Sequence, residues 1–270
     1  MRVCVSGRSD MPRRIDLART VIDAWTKVSG EAPMVSTGLA RVLGLDEGVD
    51  VEGLQTDVII TVGGDGTILW TLMHNQAPIL GVNDGQLGFL TETPPDRVRR
   101  DLERLERGDY FIENRGKVAV SLNGEFLGTC TNECVVKTPR PSKILTFDVY
   151  AGDHRIESVR ADGLIVATPT GSTSYAMSAG GPLVDPDLEA LIVVPLAPFR
   201  VALRPIVLPG GHTLTIRLAE KEKEAIMALD GQVEHPMLAG DEVTLTQADE
   251  RARFVRFTPH FLARLSDLFG

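Results

Sequence analysis

"DVIITVGGDGTILWTLMHN", residues 57–75, runs a β-branched segment into three glycines around one aspartate and then into an apolar stretch. The opening run lacks the alternation of a half-solvated strand, and an unbroken apolar run is expected where helices cover both faces of a parallel sheet. "TILWTLMHN" continues at helical spacing. The flanking segments repeat the alternation. Upstream, "RVCVS" reads as a strand, and "MPRRIDLARTVIDAWTKV" places Ile15, Leu17, Ala18, Val21, Ile22 and Trp25 at helical intervals. Downstream, "APILGVN" is a strand, and "PPDRVRRDLERLERG" is a helix with Val98, Leu102 and Leu105 inward and Gly108 as its stop. Strands alternating with helices predict an α/β domain with a parallel sheet and flanking helices over residues 1–108.

From Tyr110 the pattern changes to strands. "KVAVSL" and "EFLGT" flank Asn123-Gly124, a favoured type I′ hairpin turn. "ILTFDVY", "HRIESV", "GLIVAT", "HTLTIRL", "AIMAL-DG-QVEH" and "DEVTLTQ" follow. Residues 109–250 are therefore expected to form a β-rich, sandwich-like domain. "TSYAMSAGGPLVDPDLEALI" interrupts it with a partly helical pattern, and "EKEKE" (220–224) reads as a solvated hairpin tip. In the last segment, 251–270, "HFLARLSDLF" is a short amphipathic helix expected to return to the first domain.

At 270 residues and 29.3 kDa, folding should bury about 73% of the surface that the unfolded chain exposes. That is enough for a core without disulfides. The formal charge is −9 and the pI about 5.1, which argues against a nucleic-acid partner, since that needs a basic footprint. An anionic ligand must then be held by local cations, backbone amides or a metal. Cys4, Cys130 and Cys134 form no C-x-x-C pair, and no histidine cluster accompanies them, so they read as small buried hydrophobes in a reducing compartment. No motif of metal-ligating residues stands out. There is no signal segment and no apolar run of about 18 residues, so the expectation is a soluble cytoplasmic protein without a membrane partner.

Three segments carry chemistry. Gly63, Gly64, Asp65, Gly66 and Thr67 lie where a buried strand meets a helix, the place where ligands bind open parallel sheets. Helix-terminal N–H groups attract phosphate, and glycine lets the backbone approach it. A tight strand-to-helix turn explains the same residues without a ligand. This is neither a Walker loop, since Gly116-Lys117 is followed by Val118, nor a G-x-G-x-x-G motif. In "RADGLIVATPTGSTSYAMSAGGP" (160–182), hydroxyls crowd around Gly171, and Tyr175 is available to lie near a base; the alternative is a loop capping the next helix. In "TNECVVKTPRPSK" (131–143), Asn132 and Glu133 enter an apolar strand. Two consecutive strand residues reach one ligand only where the strand is irregular or just beginning. Lys137, Arg140 and Lys143 follow without an acid, which suits either a polyphosphate or a basic surface loop.

Together "GGDGT", "GVNDGQLGFLTE", "TNE" and "DGLIVATPTGSTSYAMSAGGP" resemble the NAD kinase family over residues 57–232, and "HFLARL" is similar to the family's ending. "GGDGT" alone is shared with phosphofructokinases and diacylglycerol-type lipid kinases. The long glycine- and hydroxyl-rich stretch is what singles out NAD kinases. The resemblance implies phosphorylation of the 2′-hydroxyl on the adenosine ribose of NAD, giving NADP, with ATP or polyphosphate as donor and a divalent cation such as Mg²⁺. It implies an active site where two domains join, and a homodimer or homotetramer. Carried over by motif, Asp65 is the catalytic proton acceptor, and Gly63, Gly64, Gly66 and Thr67 form the phosphate-donor loop. Asp65, Gly66, Asn132, Glu133, Lys143, Arg160, Asp162, Thr173, Ser174, Tyr175, Ala176, Met177, Ser178, Ala197 and Gln232 would bind NAD. Around Ala197 the chain departs from the family's Pro-His-Thr-Leu with Pro198-Phe199-Arg200-Val201. An arginine at the position of Arg160 accompanies preference for NAD over NADH in the family. The competing functions are a lipid or sugar-phosphate kinase of the GGDG type and a non-catalytic nucleotide sensor.

Overall fold

The computed structural model describes residues 1–7, 11–85, 88–140, 143–200, 204–219 and 223–259. The chain divides into two units, Met1–Asn114 with Ala252–Gly270, and Arg115–Arg251.

The first unit contains β1 (Val3–Gly7), α1 (Pro12–Ser29), β2 (Met34–Val35), α2 (Thr37–Leu43), β3 (Val58–Val62), α3 (Asp65–His74), β4 (Ile79–Val82) and α4 (Val98–Glu106). Its strands lie in the order β2-β1-β3-β4, every pair parallel. Phe254, near the end of the chain's last strand, pairs in parallel with Ile79. All five residues of β3 are buried, as its unalternating sequence predicts. Alternate residues of β3 feed different clusters, because successive side chains leave a strand on opposite faces. Val58, Ile60 and Val62 pack with Leu17, Val21 and Trp25 of α1 and Leu102 and Leu105 of α4. Ile59 packs with Cys4 and Val51. Helix α3 buries Ile68, Leu69 and Leu72 against Ile79, Leu90 and Phe254.

The division between units falls within β5 (Phe111–Leu122) and within the chain's last strand. The second unit continues with β6 (Glu125–Cys130), β7 (Glu133–Lys137), β8 (Leu145–Ala151), β9 (His154–Ala161), β10 (Gly163–Ala167), the one-turn helix α5 (Tyr175–Ser178) and β11 (Ala190–Leu196). It ends with β12 (Ile206–Pro209), β13 (Leu214–Leu218), β14 (Ala225–Leu229), β15 (Val233–Met237) and the start of β16 (Glu242–Arg256). One antiparallel sheet has the order β12-β11-β10-β7-β14-β15. A second antiparallel set is β16-β13-β8-β9. The α/β class of the first unit and the β-rich class of the second are those the sequence predicts. Asn123 (φ 51°) and Gly124 (φ 83°) turn β5 into β6, with the two left-handed residues that a type I′ turn requires.

The helical pattern after Ser174 is realised over one turn only. Gly180, Gly181 and Pro182 cannot sustain a helix, and the apolar end of that segment pairs as β11. The "HFLARLSDLF" helix and most of the "EKEKE" tip lie outside the described residues.

Candidate active site

In the first unit, Asp65 is the first residue of α3, at the carboxyl end of β3. Its carboxylate is gripped by backbone. Oδ2 accepts the Phe89 N–H at 2.9 Å and Oδ1 accepts the Leu90 N–H at 3.1 Å. Gly88 packs directly on the same group: a Cβ there would stand 2.2 Å from Oδ1. No other residue fits at 88 while Asp65 holds this rotamer. Gly63 needs to be glycine for the protein's own sake, with φ 146° and a Cβ that would meet Thr67 Oγ1 at 2.6 Å. Gly64 and Gly66 differ: a Cβ on either meets nothing within 4 Å.

In the second unit, β7 begins at Glu133, so Asn132 and Glu133 sit where a strand is just starting. Asp230 shapes this start. It stands at the β14–β15 turn with φ 47°, and its carboxylate accepts the N–H groups of Thr131 (2.7 Å), Asn132 (2.7 Å) and Glu133 (3.0 Å). Thr168 closes the other side, donating its N–H to the Asn132 carbonyl at 2.8 Å and its hydroxyl to the Thr131 carbonyl at 2.6 Å. A Cβ on Gly171 would lie 2.1 Å from the Asn132 carbonyl oxygen, so the loop touches this turn backbone to backbone.

The turn presents unsatisfied groups. Asn132 Oδ1, Glu133 Oε2 and Thr131 Oγ1 are buried without a hydrogen-bond partner. Buried polar atoms are paired in the large majority of cases, and each exception costs about 1–3 kcal/mol. Three within three residues signal a place that a polar ligand completes. Ser174 donates to the other Glu133 oxygen at 3.3 Å. Burial, reinforced by the nearby Asp230 charge, pushes the Glu133 carboxyl up to about 8, so it carries a proton at neutral pH. Burial raises Asp230 to about 6, against the pull of the three amides.

Of the other predicted residues of this unit, Gln232 and 173–178 lie at the Glu133 end of these strands, whereas Asp162 and Ala197 lie at the opposite end, since Gly163 pairs with Lys137 and Leu196 while Ala167 pairs with Glu133. Gln232 donates to the Asp230 carbonyl at 3.3 Å. In 173–178, Ala176 is buried, Thr173, Ser174 and Met177 are half-buried, and Tyr175 and Ser178 are exposed. The Asp162 N–H donates to Leu196 at 2.9 Å, and Ala197, just beyond β11, holds a left-handed φ of 45°. The exposed Arg160 guanidinium sits 4.8 Å over the Phe199 ring, so the departure from the family pattern supplies its stacking partner. Lys143 lines a cavity of about 640 Å³ with Arg140, Lys223 and Glu224, apart from the hydrogen bonds that join Asn132, Glu133, Ser174 and Asp230. The three cysteines are buried and unpaired, and desolvation raises each thiol, which fits inert packing. Asp230, Gly88 and the amides of Phe89 and Leu90 were not predicted from sequence. Asp230-Gly231 has a sufficient explanation as a hairpin turn, and a backbone amide leaves no mark on its side chain.

The comparisons agree with these features. Residues 20–110 match the ATP-NAD kinase N-terminal domain and residues 131–257 the ATP-NAD kinase C-terminal domain. An NAD kinase of Methanosarcina barkeri is 42% identical over 262 residues, covering 95% of this chain and 94% of that protein. One from Thermoplasma volcanium is 39% identical over 271 residues, covering 99% and 97%. The crystal structure of an NAD kinase from Archaeoglobus fulgidus in complex with ATP superposes with a TM-score of 0.81 at 29% identity, covering 100% and 99% of the two chains. A yeast NADH kinase complexed with NADH shares the fold, with a TM-score of 0.90 at 20% identity, over 100% and 87%. The chain is thus a phosphotransferase. It belongs to the NAD kinase family.

Proposed function

We propose that the enzyme phosphorylates the 2′-hydroxyl on the adenosine ribose of NAD, giving NADP, with ATP as donor and Asp65 as proton acceptor. What supports the substrate reading is the set of buried, unpartnered groups at Thr131, Asn132 and Glu133. A nucleotide edge offers the donors and acceptors they lack. Glu133, protonated at neutral pH, has a proton to donate as well as lone pairs. Gly66, Lys143, Arg160, Asp162, 173–178, Ala197 and Gln232 complete the proposed NAD contacts, and Arg160 favours NAD over NADH. Polyphosphate is the alternative donor to ATP.

Phosphoryl transfer passes through a loose transition state, so positioning and charge neutralisation dominate over base strength. The two amides on the Asp65 carboxylate fix its direction, and this prepaid orientation is what an oriented acceptor contributes. The open space at Gly64 and Gly66 leaves the first amides of α3 reachable by donor phosphates. Among the described residues no three metal-ligating side chains gather. Mg²⁺ is ordinarily carried by substrate phosphates with one or two carboxylates. When bound it would neutralise phosphate charge. The assembly is proposed to be a homodimer or homotetramer, and the compartment the cytoplasm.

The test is incubation with NAD, ATP and Mg²⁺, with NADP read out by an NADP-specific dehydrogenase. Wild type should produce NADP, and Asp65→Asn should do so about 100-fold or more slowly. Tight NAD binding by calorimetry without NADP formation would instead favour the sensor reading.

A further inference from the structure

We propose that Arg256 is a positioning residue for Asp65, acting through the backbone of Leu90. The proposal rests on the reading of Asp65 as proton acceptor.

Arg256 lies at the end of β16 and is 1% exposed. Its Nε donates to Glu113 Oε2 at 2.7 Å, and its Nη1 reaches Glu92 Oε2 at 3.2 Å. Nη1 also donates to the Leu90 carbonyl at 2.9 Å, while the guanidinium carbon sits 4.8 Å over the Phe254 ring. The two carboxylates satisfy the charge. The carbonyl bond is additional, and it falls on an irregular segment. Leu90 thereby links two groups: the peptide on its amino side donates to Asp65 Oδ1 at 3.1 Å, and the peptide on its carboxyl side accepts from Arg256. Downstream the segment is fixed to β4, since Glu92 and Thr93 both donate to the Gly81 carbonyl, at 2.8 and 3.0 Å. The torsions at Leu90 decide where its N–H points, and Arg256 holds their far end.

Arginine suits the task because a planar fork serves two carboxylates and a carbonyl in fixed directions, whereas a lysine ammonium is a point donor on a flexible stem. A purely structural role, joining the last strand to Glu92 and Glu113, predicts loss of stability alone. A positioning role predicts loss of turnover that vanishes when Asp65 is absent.

The experiment measures kcat, KM for NAD and Tm for Arg256→Lys and, as a second variant should the first not fold, Arg256→Gln. Each is made in wild-type and Asp65→Asn backgrounds and assayed below its own Tm. Glu113→Gln, which leaves the Leu90 carbonyl bond in place, is the stability control. We expect kcat to fall at least tenfold in the Arg256 variants, with KM for NAD within about threefold. In the Asp65→Asn background the same change should cost less than twofold, the non-additivity of groups acting as one unit. Glu113→Gln should lower Tm while kcat stays within threefold. An equal loss of turnover in Glu113→Gln, or a full loss in both backgrounds, overturns the proposal and leaves the Asp65 reading intact. Normal turnover of Asp65→Asn itself would overturn both.

Discussion

Gly66→Ala separates the two explanations of the glycine-rich turn. Gly66 is the second residue of α3, and a Cβ there has no atom of the protein within 4 Å. Alanine is the better helix former by about 0.8–1 kcal/mol in a helix interior, and less in a first turn. The variant should therefore be as stable as wild type or up to about 1 kcal/mol more stable. For a chain of this size that is an unchanged Tm or a rise of about 2–4 °C. If donor phosphates lie against these amides, the added methyl occupies their place. The KM for ATP should then rise tenfold or more, which corresponds to about 1.4 kcal/mol of lost donor binding. Scanning calorimetry and initial rates at varied ATP test both halves. Parallel loss of stability and activity would show that the glycine serves the turn. Unchanged donor KM would show that phosphates do not approach here.

Three further outcomes follow from the site's geometry. Asp65→Asn should lower kcat about 100-fold or more, the usual range for loss of a general base, with calorimetric NAD affinity within threefold; near-normal turnover contradicts its role. Gly88→Ala puts a methyl 2.2 Å from the present position of Asp65 Oδ1, so the carboxylate must leave its two amides. Its kcat should fall at least tenfold, and an unaltered kcat would show that the cradle is irrelevant to turnover. The third concerns pH. Glu133 binds its proton more tightly folded than unfolded, with a value near 8 against an ordinary 4.5. Its contribution to stability is full below pH 4.5 and is lost as pH rises towards 8, by the linkage between bound protons and folding. The Tm of wild type should decline across this window more steeply than that of Glu133→Gln, and parallel curves would contradict the shift.

What was legible in the sequence followed from periodicity and turn chemistry. The unalternating 57–62 run marked a strand covered on both faces, and all five residues of β3, Val58–Val62, are buried. Asn123-Gly124 marked a hairpin because only a few residues adopt two successive left-handed conformations. Strand geometry asks that Asn132 and Glu133 sit where the strand is irregular or just beginning if both are to serve one ligand, and β7 begins at Glu133. The hidden features depend on contacts between distant segments. Asp230 lies 97 residues from Glu133, and its local sequence is accounted for by the turn it occupies. Gly88 has a purpose only once Asp65 stands beside it. Arg256 looks like one more exposed charge on an alternating strand until its two glutamates and the Leu90 carbonyl surround it. The partly helical pattern after Ser174 is met by a single turn, because the glycines and proline at 180–182 stop it there.

The most direct measurement is a crystal structure of the enzyme with NAD bound. The adenosine 2′-oxygen should lie within about 2.6–3.2 Å of an Asp65 carboxylate oxygen, with Asn132 Oδ1 and Glu133 Oε2 newly partnered by the dinucleotide. A bound NAD whose 2′-oxygen lies well beyond hydrogen-bond reach of Asp65, with Asn132 and Glu133 still unpartnered, would contradict the proposed function.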